Sequence, residues 1–200
     1  MRLYIIRHGQ TAANRDKFFY NDADNIPLTE KGREQAMRIR PLLEKFKFDR
    51  VYCSDYLRAI QTQQLALPDA ENVIITPLVH EISAGELGGK PFSYVYDHLE
   101  NFDGWTPTGD NRAYGAFGGE SMEMVGQRLR KFLKMLEEDP CDRVAVFAHG
   151  AVMACLLRVV LQADDFCRGA VLSTNCAIHI FEYDGTRWKL LAWNYGAEMD

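Results

Sequence analysis

The sequence predicts an α/β fold: a three-layer sandwich whose mainly parallel sheet carries helices on both faces and ends in a C-terminal antiparallel hairpin. Three observations point there. Short apolar runs that stop at polar turns recur along the chain, as strands buried on both faces do. Segments with apolar residues three and four apart separate most of them, so strands and helices alternate. Near the end, two strand-like runs flank Asp184-Gly185, a strong hairpin-turn pair.

The elements follow in order. Leu3 to Ile6 reads as a buried parallel strand bounded by Arg7-His8-Gly9. Thr29 is suited to cap a helix whose apolar face is Ala36, Ile39, Leu43 and Phe46. Val51 to Cys53 is a second strand, ending at Ser54-Asp55, with a helix through Leu57, Ile60 and Leu65 behind it. Val73 to Ile75 is a third. Residues 90 to 120 change character, with Phe92, Tyr94, Tyr96, Phe102, Trp105, Tyr114 and Phe117 among glycines, aspartates and asparagines. They read as a cap or insert in a single domain spanning 1–200, either the core of a small cap or a wall of the binding pocket. Ser121 then caps a helix with Val125, Leu129, Phe132 and Leu136 on one face. Val144 to Ala148 is the cleanest buried strand; it stops at His149-Gly150, and a helix from Ala151 to Leu161 follows. Ala177 to Tyr183 and Trp188 to Trp193 form the hairpin.

Composition narrows the function classes. The 200 residues are 47% hydrophobic and 26% charged, with a net charge of −5, which argues against non-specific nucleic-acid binding. An anionic substrate would need locally concentrated positive charge. Five cysteines, none spaced C-x-x-C, argue against a disulfide framework or a zinc ribbon. No run is long and apolar enough for a membrane span or a signal peptide, so a cytoplasmic protein without membrane partners is expected. No oligomeric state is read from the sequence.

In open parallel sheets, ligands bind beyond the carboxyl ends of the strands. Two predicted strands end there in histidine then glycine, at His8-Gly9 and His149-Gly150. Phosphoryl transfer needs cations and donors aimed at the phosphoryl oxygens, a nucleophile and an acid for the leaving oxygen. Arginine suits the first task because its fork matches two oxygens. Arg7 adjoins His8, Asn14 lies further along that loop, and Arg58 follows the second strand. Glu81 follows the third strand, and His149 opens a helix whose N-terminal N–H groups favour an anion. An Arg-His-Gly triplet alone arises by chance in on the order of one chain in a hundred of this length, so the weight rests on the whole set.

With those residues assembled, the sequence resembles the histidine phosphatase superfamily, also called phosphoglycerate mutase-like. Arg7-His8-Gly9-Gln10-Thr11 with Asn14 resembles its signature loop, and Leu28-Thr29, Gly32 and Gln35-Ala36 its first helix start. Ser54-Asp55, Leu57-Arg58-Ala59 and Thr62 resemble its second arginine motif. Glu81 with Gly85 and Gly89 resembles its acid loop, Gly119-Glu120-Ser121 a later helix start, and His149-Gly150 its second histidine. The resemblance implies that His8 is the phosphorylated nucleophile and that Arg7, Arg58 and His149 hold the phosphoryl oxygens, assisted by Asn14 and Gly150. It implies that Glu81 donates a proton and later activates water. Where Gly88 stands the family usually has an acidic residue, and near Leu87 an aromatic one; this departure is expected to alter the pocket wall.

The expected activity is therefore metal-independent hydrolysis of small phosphate esters through a phosphohistidine, with no cofactor and with a phosphate ester or inorganic phosphate as ligand. A phosphoglycerate mutase is the alternative among enzymes, disfavoured because the cofactor-dependent mutases of the family are generally longer. A catalytically silent phosphate-binding protein is the alternative from another class. Glu86 and Glu120 are rivals of Glu81; His80, His98 and His179 are read as structural. His80-Glu81 lacks a second histidine at position 84, Lys90 lies outside any nucleotide-binding loop, and no cysteine precedes an arginine by six positions.

Overall fold

A computed structural model describes residues 1–20, 25–97, 114–139, 141–162 and 171–196. Its strands are β1 (Arg2–Arg7), β2 (Arg50–Cys53), β3 (Ile74–Ile75), β4 (Arg143–Ala148), β5 (Ile178–Tyr183) and β6 (Trp188–Tyr195). They form one sheet in the order β3-β2-β4-β1-β5-β6. β3, β2, β4 and β1 run parallel; β5 is antiparallel to β1, and β6 to β5. This is the predicted sheet with its antiparallel C-terminal hairpin. The helices are α1 (Ala12–Asp16), α2 (Glu30–Leu43), α3 (Leu57–Ala66), α4 (Ser93–Asp97), α5 (Met122–Glu138) and α6 (Gly150–Leu161).

Alternation along the central strands divides the core into two layers. Leu3, Ile5, Val144, Val146 and Phe181 face Val125, Leu129, Phe132, Val152 and Leu156 of α5 and α6. Tyr4, Ile6, Ala145, Phe147 and Ile178 face Ala36, Ile39 and Leu43 of α2 and Ala59 and Ala66 of α3. Thr29 caps α2 by accepting from the Gly32 N–H, and Ser121 caps α5 by accepting from that of Met124. Phe46 falls outside α2, which ends at Leu43, yet still packs on Tyr4, with ring centroids 4.7 Å apart. The third strand is shorter than predicted and, on the sheet edge, leaves Ile74 and Ile75 exposed. Among the described residues, no helix is long and apolar enough to cross a membrane.

Register builds the functional edge. Arg7 pairs with Ala148 and Cys53 with Phe147, so β1, β2 and β4 end side by side and release His8, Ser54 and His149 at one edge. The loop after His8 is pressed against the start of α2. A Cβ on Gly9 would overlap the Gly32 backbone, and a Cβ on Gly32 the Gln10 backbone, so both positions need glycine for close approach.

Trp105 and Phe102 of the aromatic-rich stretch lie outside the described residues, as do His98 and Cys167. The described ends of that stretch pack on Phe19: its ring meets Phe92 at 4.8 Å and Tyr114 at 5.8 Å. Backbone bonds from Phe19 N to Lys90 O and from Gly89 N to Phe19 O join residues 89–90 to the segment following the His8 loop. Leu87, near which the family pattern is expected to carry an aromatic, is fully buried in the core.

Candidate active site

His8 is buried directly after β1, at 1% exposure. Its Nδ1 lies 2.7 Å from the Gly9 carbonyl, an acceptor only, so Nδ1 carries the hydrogen and donates it. The lone pair is then on Nε2, which is buried and makes no hydrogen bond to any described residue. Burial, then Arg58 and Arg7, pushes the imidazole well below its usual pKa. The ring is thus held neutral, with an unprotonated Nε2 and two guanidinium groups near enough to act on its charge.

Arg58 sits in the first turn of α3 and is 1% exposed. The Tyr20 ring covers its guanidinium at 3.8 Å and the Tyr56 ring lies at 4.7 Å, so aromatic faces help hold the cation in the interior. Thr62, also buried, donates to the Arg58 carbonyl at 2.6 Å and accepts from the Gly9 N–H at 3.0 Å. That hydroxyl ties the second arginine helix to the His8 loop. Arg7 donates through Nη1 to the Ser173 carbonyl. A Cβ on Gly150 would come within 3.3 Å of Arg7 Nε, so the glycine gives the guanidinium its room.

His149 is fully buried, its ring 5.2 Å from that of His8 between centroids. Its Nε2 lies 2.7 Å from Ser54 Oγ, and its Nδ1 makes no hydrogen bond to any described residue. Burial, then Arg58 and His8, lowers its pKa strongly. If the Ser54 hydroxyl donates to Nε2, Nδ1 carries the hydrogen and becomes a donor toward an anion between the two rings. Asn14 uses Oδ1 to accept from Thr11 N and Asn175 Nδ2, each at 3.2 Å, which reserves its Nδ2 end for donation.

Glu81 is buried at 8% exposure, and its Oε1 accepts from the N–H groups of Ile82 at 3.1 Å and Ala151 at 3.2 Å. The carboxyl group therefore occupies the start of α6 beside His149. That modifies one expectation: at least one N–H of this helix N-terminus serves Glu81 rather than a phosphate. Glu81 is also close enough to Tyr20 to influence its phenol. The rivals sit differently. Glu86 is exposed. Glu120 forms a fork with Arg128, both N–O distances 3.1 Å, and accepts from Ser83 N. Burial pushes Glu120 up, but Arg128 and the Ser83 N–H outweigh it and hold the carboxyl below its ordinary value.

His80 is partly exposed, stacked on Tyr56 and 3.7 Å from Asp55. Sequence reasoning missed Tyr20, Ser173 and Asn175. Tyr20 and Ser173 stand in no recognisable motif, and the contacts of Ser173 and Asn175 with the His8 loop join residues more than 160 positions apart. Ser54 was visible as part of a motif but without its link to His149. Among the described residues, no cluster of three or more His, Cys, Asp or Glu is arranged to hold a metal ion.

Fold and site bring two buried, neutral imidazoles and the guanidinium groups of Arg7 and Arg58 together at a parallel-sheet edge, an arrangement suited to phosphoryl transfer. The sequence matches the family model of the histidine phosphatase superfamily (branch 1) over residues 3–196, and the chain belongs to that superfamily as a phosphatase-class enzyme. Among its relatives, the adenosylcobalamin/α-ribazole phosphatase of Escherichia coli K12 is 32% identical over 160 residues, covering 78% of this chain and 77% of the relative. A protein of Cronobacter sakazakii named "Probable phosphoglycerate mutase GpmB" is 26% identical over 200 residues, covering 96% of this chain and 90% of the relative. Among solved structures, the mycobacterial glucosyl-3-phosphoglycerate phosphatase in complex with VO3 aligns with a TM-score of 0.84 at 25% identity, covering 96% of this chain and 98% of the other. The α-ribazole phosphatase of Shigella flexneri aligns at 0.85 and 26%, covering 98% of each chain.

Proposed function

We propose that the chain hydrolyses small phosphate monoesters through a phosphoryl group carried on His8 Nε2. One observation carries the reading: Nε2 is buried and makes no hydrogen bond among the described residues, its lone pair is fixed by the Nδ1–H bond to the Gly9 carbonyl, and Arg7, Arg58 and His149 lie near it. In the first step the Nε2 lone pair forms a bond to phosphorus as the ester P–O bond breaks, and the leaving oxygen takes a proton from Glu81. Arg7 and Arg58 hold the phosphoryl oxygens through the charge rearrangement, His149 Nδ1–H donates to one of them, and Asn14 Nδ2 assists. In the second step water attacks phosphorus, its proton passes to Glu81, the P–N bond breaks, and orthophosphate leaves. Hydrolysis of an α-ribazole-type phosphate or a phosphoglycerate derivative fits the substrates named for the phosphatase relatives.

The mutase reading keeps one specific support, the relative of that name aligned over 96% of this chain. This chain covers 90% of that relative, so length does not set it apart from a protein of that name. Product analysis does: a mutase returns an isomeric ester, a phosphatase orthophosphate. Rapid quench with labelled aryl phosphate should give an acid-labile, base-stable adduct on the peptide containing His8. Label on the His149 peptide instead would overturn the assignment, and no labelled peptide together with no phosphate release would favour the silent binding protein.

A further inference from the structure

Among the described residues, the buried histidine outside the active site is His179 on β5, opposite Ile5 of β1. The β5–β6 ladder is irregular there. Ile178 pairs with Tyr195 and Ile180 with Ala192, so Trp193 and Asn194 together face the single residue His179. Such a bulge re-aims side chains, and Asn194 accommodates it with a left-handed backbone at φ 55°. Trp193 comes to lie against the imidazole, with ring centroids 3.8 Å apart.

The hydrogen bonds at His179 have one direction. The Asn194 backbone N–H donates to Nδ1 at 3.2 Å, so Nδ1 bears no hydrogen. Burial, then Arg7, lowers the pKa of the ring to about 3, so it is neutral at working pH and Nε2 carries the hydrogen. Nε2–H then donates to Ser173 Oγ at 2.8 Å. The rest of that loop is held from the same bulge. Trp193 Nε1 and Asn194 Nδ2 donate to the Leu172 carbonyl at 2.7 and 2.8 Å, and Asn194 Oδ1 accepts from Thr174 N. The loop in turn grips the His8 segment: the Ser173 carbonyl accepts from Arg7 Nη1, and Asn175 Nδ2 donates to the His8 carbonyl at 2.9 Å.

We propose that His179 is a positioning residue: through Ser173 it sets the carbonyl that orients the Arg7 guanidinium toward the phosphoryl group. The proposal rests on the reading of Arg7 as a phosphoryl-binding cation. An arginine on a strand end has several rotamers, and a fork-like donor serves an anion only in the right one. The bulge and its histidine provide a rigid support reaching Arg7 from the far side of the sheet edge.

The test is the affinity for orthophosphate, measured as competitive inhibition of aryl phosphate hydrolysis and by calorimetry. His179→Phe keeps the ring volume beside Trp193 and removes both hydrogen bonds; His179→Gln keeps a donor that reaches Ser173. Misplacing a binding group by about 1 Å costs up to about 100-fold, so His179→Phe should weaken orthophosphate by about 10- to 100-fold, with KM rising more than kcat falls. His179→Gln should recover most of that loss. In an Arg7→Ala background, His179→Phe should add less than about twofold, because the coupled interaction is already gone. Ser173→Ala provides the same test with a smaller change in volume and should also weaken orthophosphate. Wild-type affinity in both His179→Phe and Ser173→Ala would overturn the proposal, as would an undiminished effect in the Arg7→Ala background. If Arg7→Ala itself binds orthophosphate as wild type does, the phosphoryl-binding role of Arg7 falls and this proposal with it. If only the His179 and Ser173 variants are silent, that role stands.

Discussion

Replacing Glu81 by glutamine should separate chemistry from stability. The amide oxygen of glutamine can still accept from the Ala151 and Ile82 N–H groups that hold Oε1 at 3.2 and 3.1 Å, so the fold around α6 should persist. What is lost structurally is at most the favourable interaction of the ionised form with a helix N-terminus, worth about 0.3–1 kcal/mol. For a chain of this size that is a fall in Tm of no more than about 4 °C. What is lost chemically is the proton donor, worth about a hundred- to ten-thousand-fold in rate, or about 2.7–5.5 kcal/mol of barrier. The loss should fall on alkyl phosphates, whose alkoxide must be protonated as it leaves. Nitrophenyl phosphate, with a stable leaving anion, should be far less affected in the phosphorylation step. Glu120→Gln should do the reverse. It breaks the fork with Arg128, whose side chains are 12% and 16% exposed. Removing one partner of a mostly buried pair costs about 2–3 kcal/mol, a little under the range for fully buried pairs, with alkyl phosphatase activity per folded molecule little changed. The assays are burst kinetics on both substrate types and thermal unfolding of each variant. If Glu81→Gln turns over alkyl phosphates like wild type while Glu120→Gln or Glu86→Gln collapses, the acid has been misassigned.

Three further outcomes are expected. Ser54→Ala removes the 2.7 Å partner of His149 Nε2 and frees the ring to adopt either tautomer; kcat/KM should fall by about tenfold or more, and an unchanged value would show that Ser54 does not orient His149. Gly32→Ala drives a Cβ into the Gln10 backbone, at a cost of about 1–3 kcal/mol; scanning calorimetry should show a lower Tm and steady-state assay a lower kcat, because Gln10 lies two residues from His8. The third concerns acid. His8, His149 and His179 are held neutral in the folded chain but protonate when unfolded below about 6.5, so the unfolded state binds more protons and stability must fall as pH drops. For His179 the loss extends from about 6.5 down to about 3, at up to about 1.4 kcal/mol per pH unit. Melting curves in phosphate-free buffer should decline over this range, and His179→Phe should shallow the slope; identical slopes would contradict a neutral buried His179.

Local signals determined more of this protein than its length would suggest. Strands β1, β2 and β4 announced themselves by uninterrupted apolar runs, the helix caps Thr29 and Ser121 by hydroxyls placed before periodic apolar residues, and the hairpin by Asp184-Gly185. Because parallel strands present their carboxyl ends at one edge, His8, Arg7, Arg58 and His149 could be grouped from strand ends alone. Tertiary structure decided what those residues can do. That Nε2 of His8 holds the lone pair depends on the Gly9 carbonyl, that His149 has a partner depends on Ser54 arriving on the neighbouring strand, and that Arg7 meets the Ser173 carbonyl depends on a residue 166 positions away. The sheet order β3-β2-β4-β1-β5-β6 is the reason these pairs meet. Periodicity reports which face of its own element a residue occupies; it carries no information about which distant element will lie against that face, and hydrogen-bond direction at an imidazole is set by that neighbour.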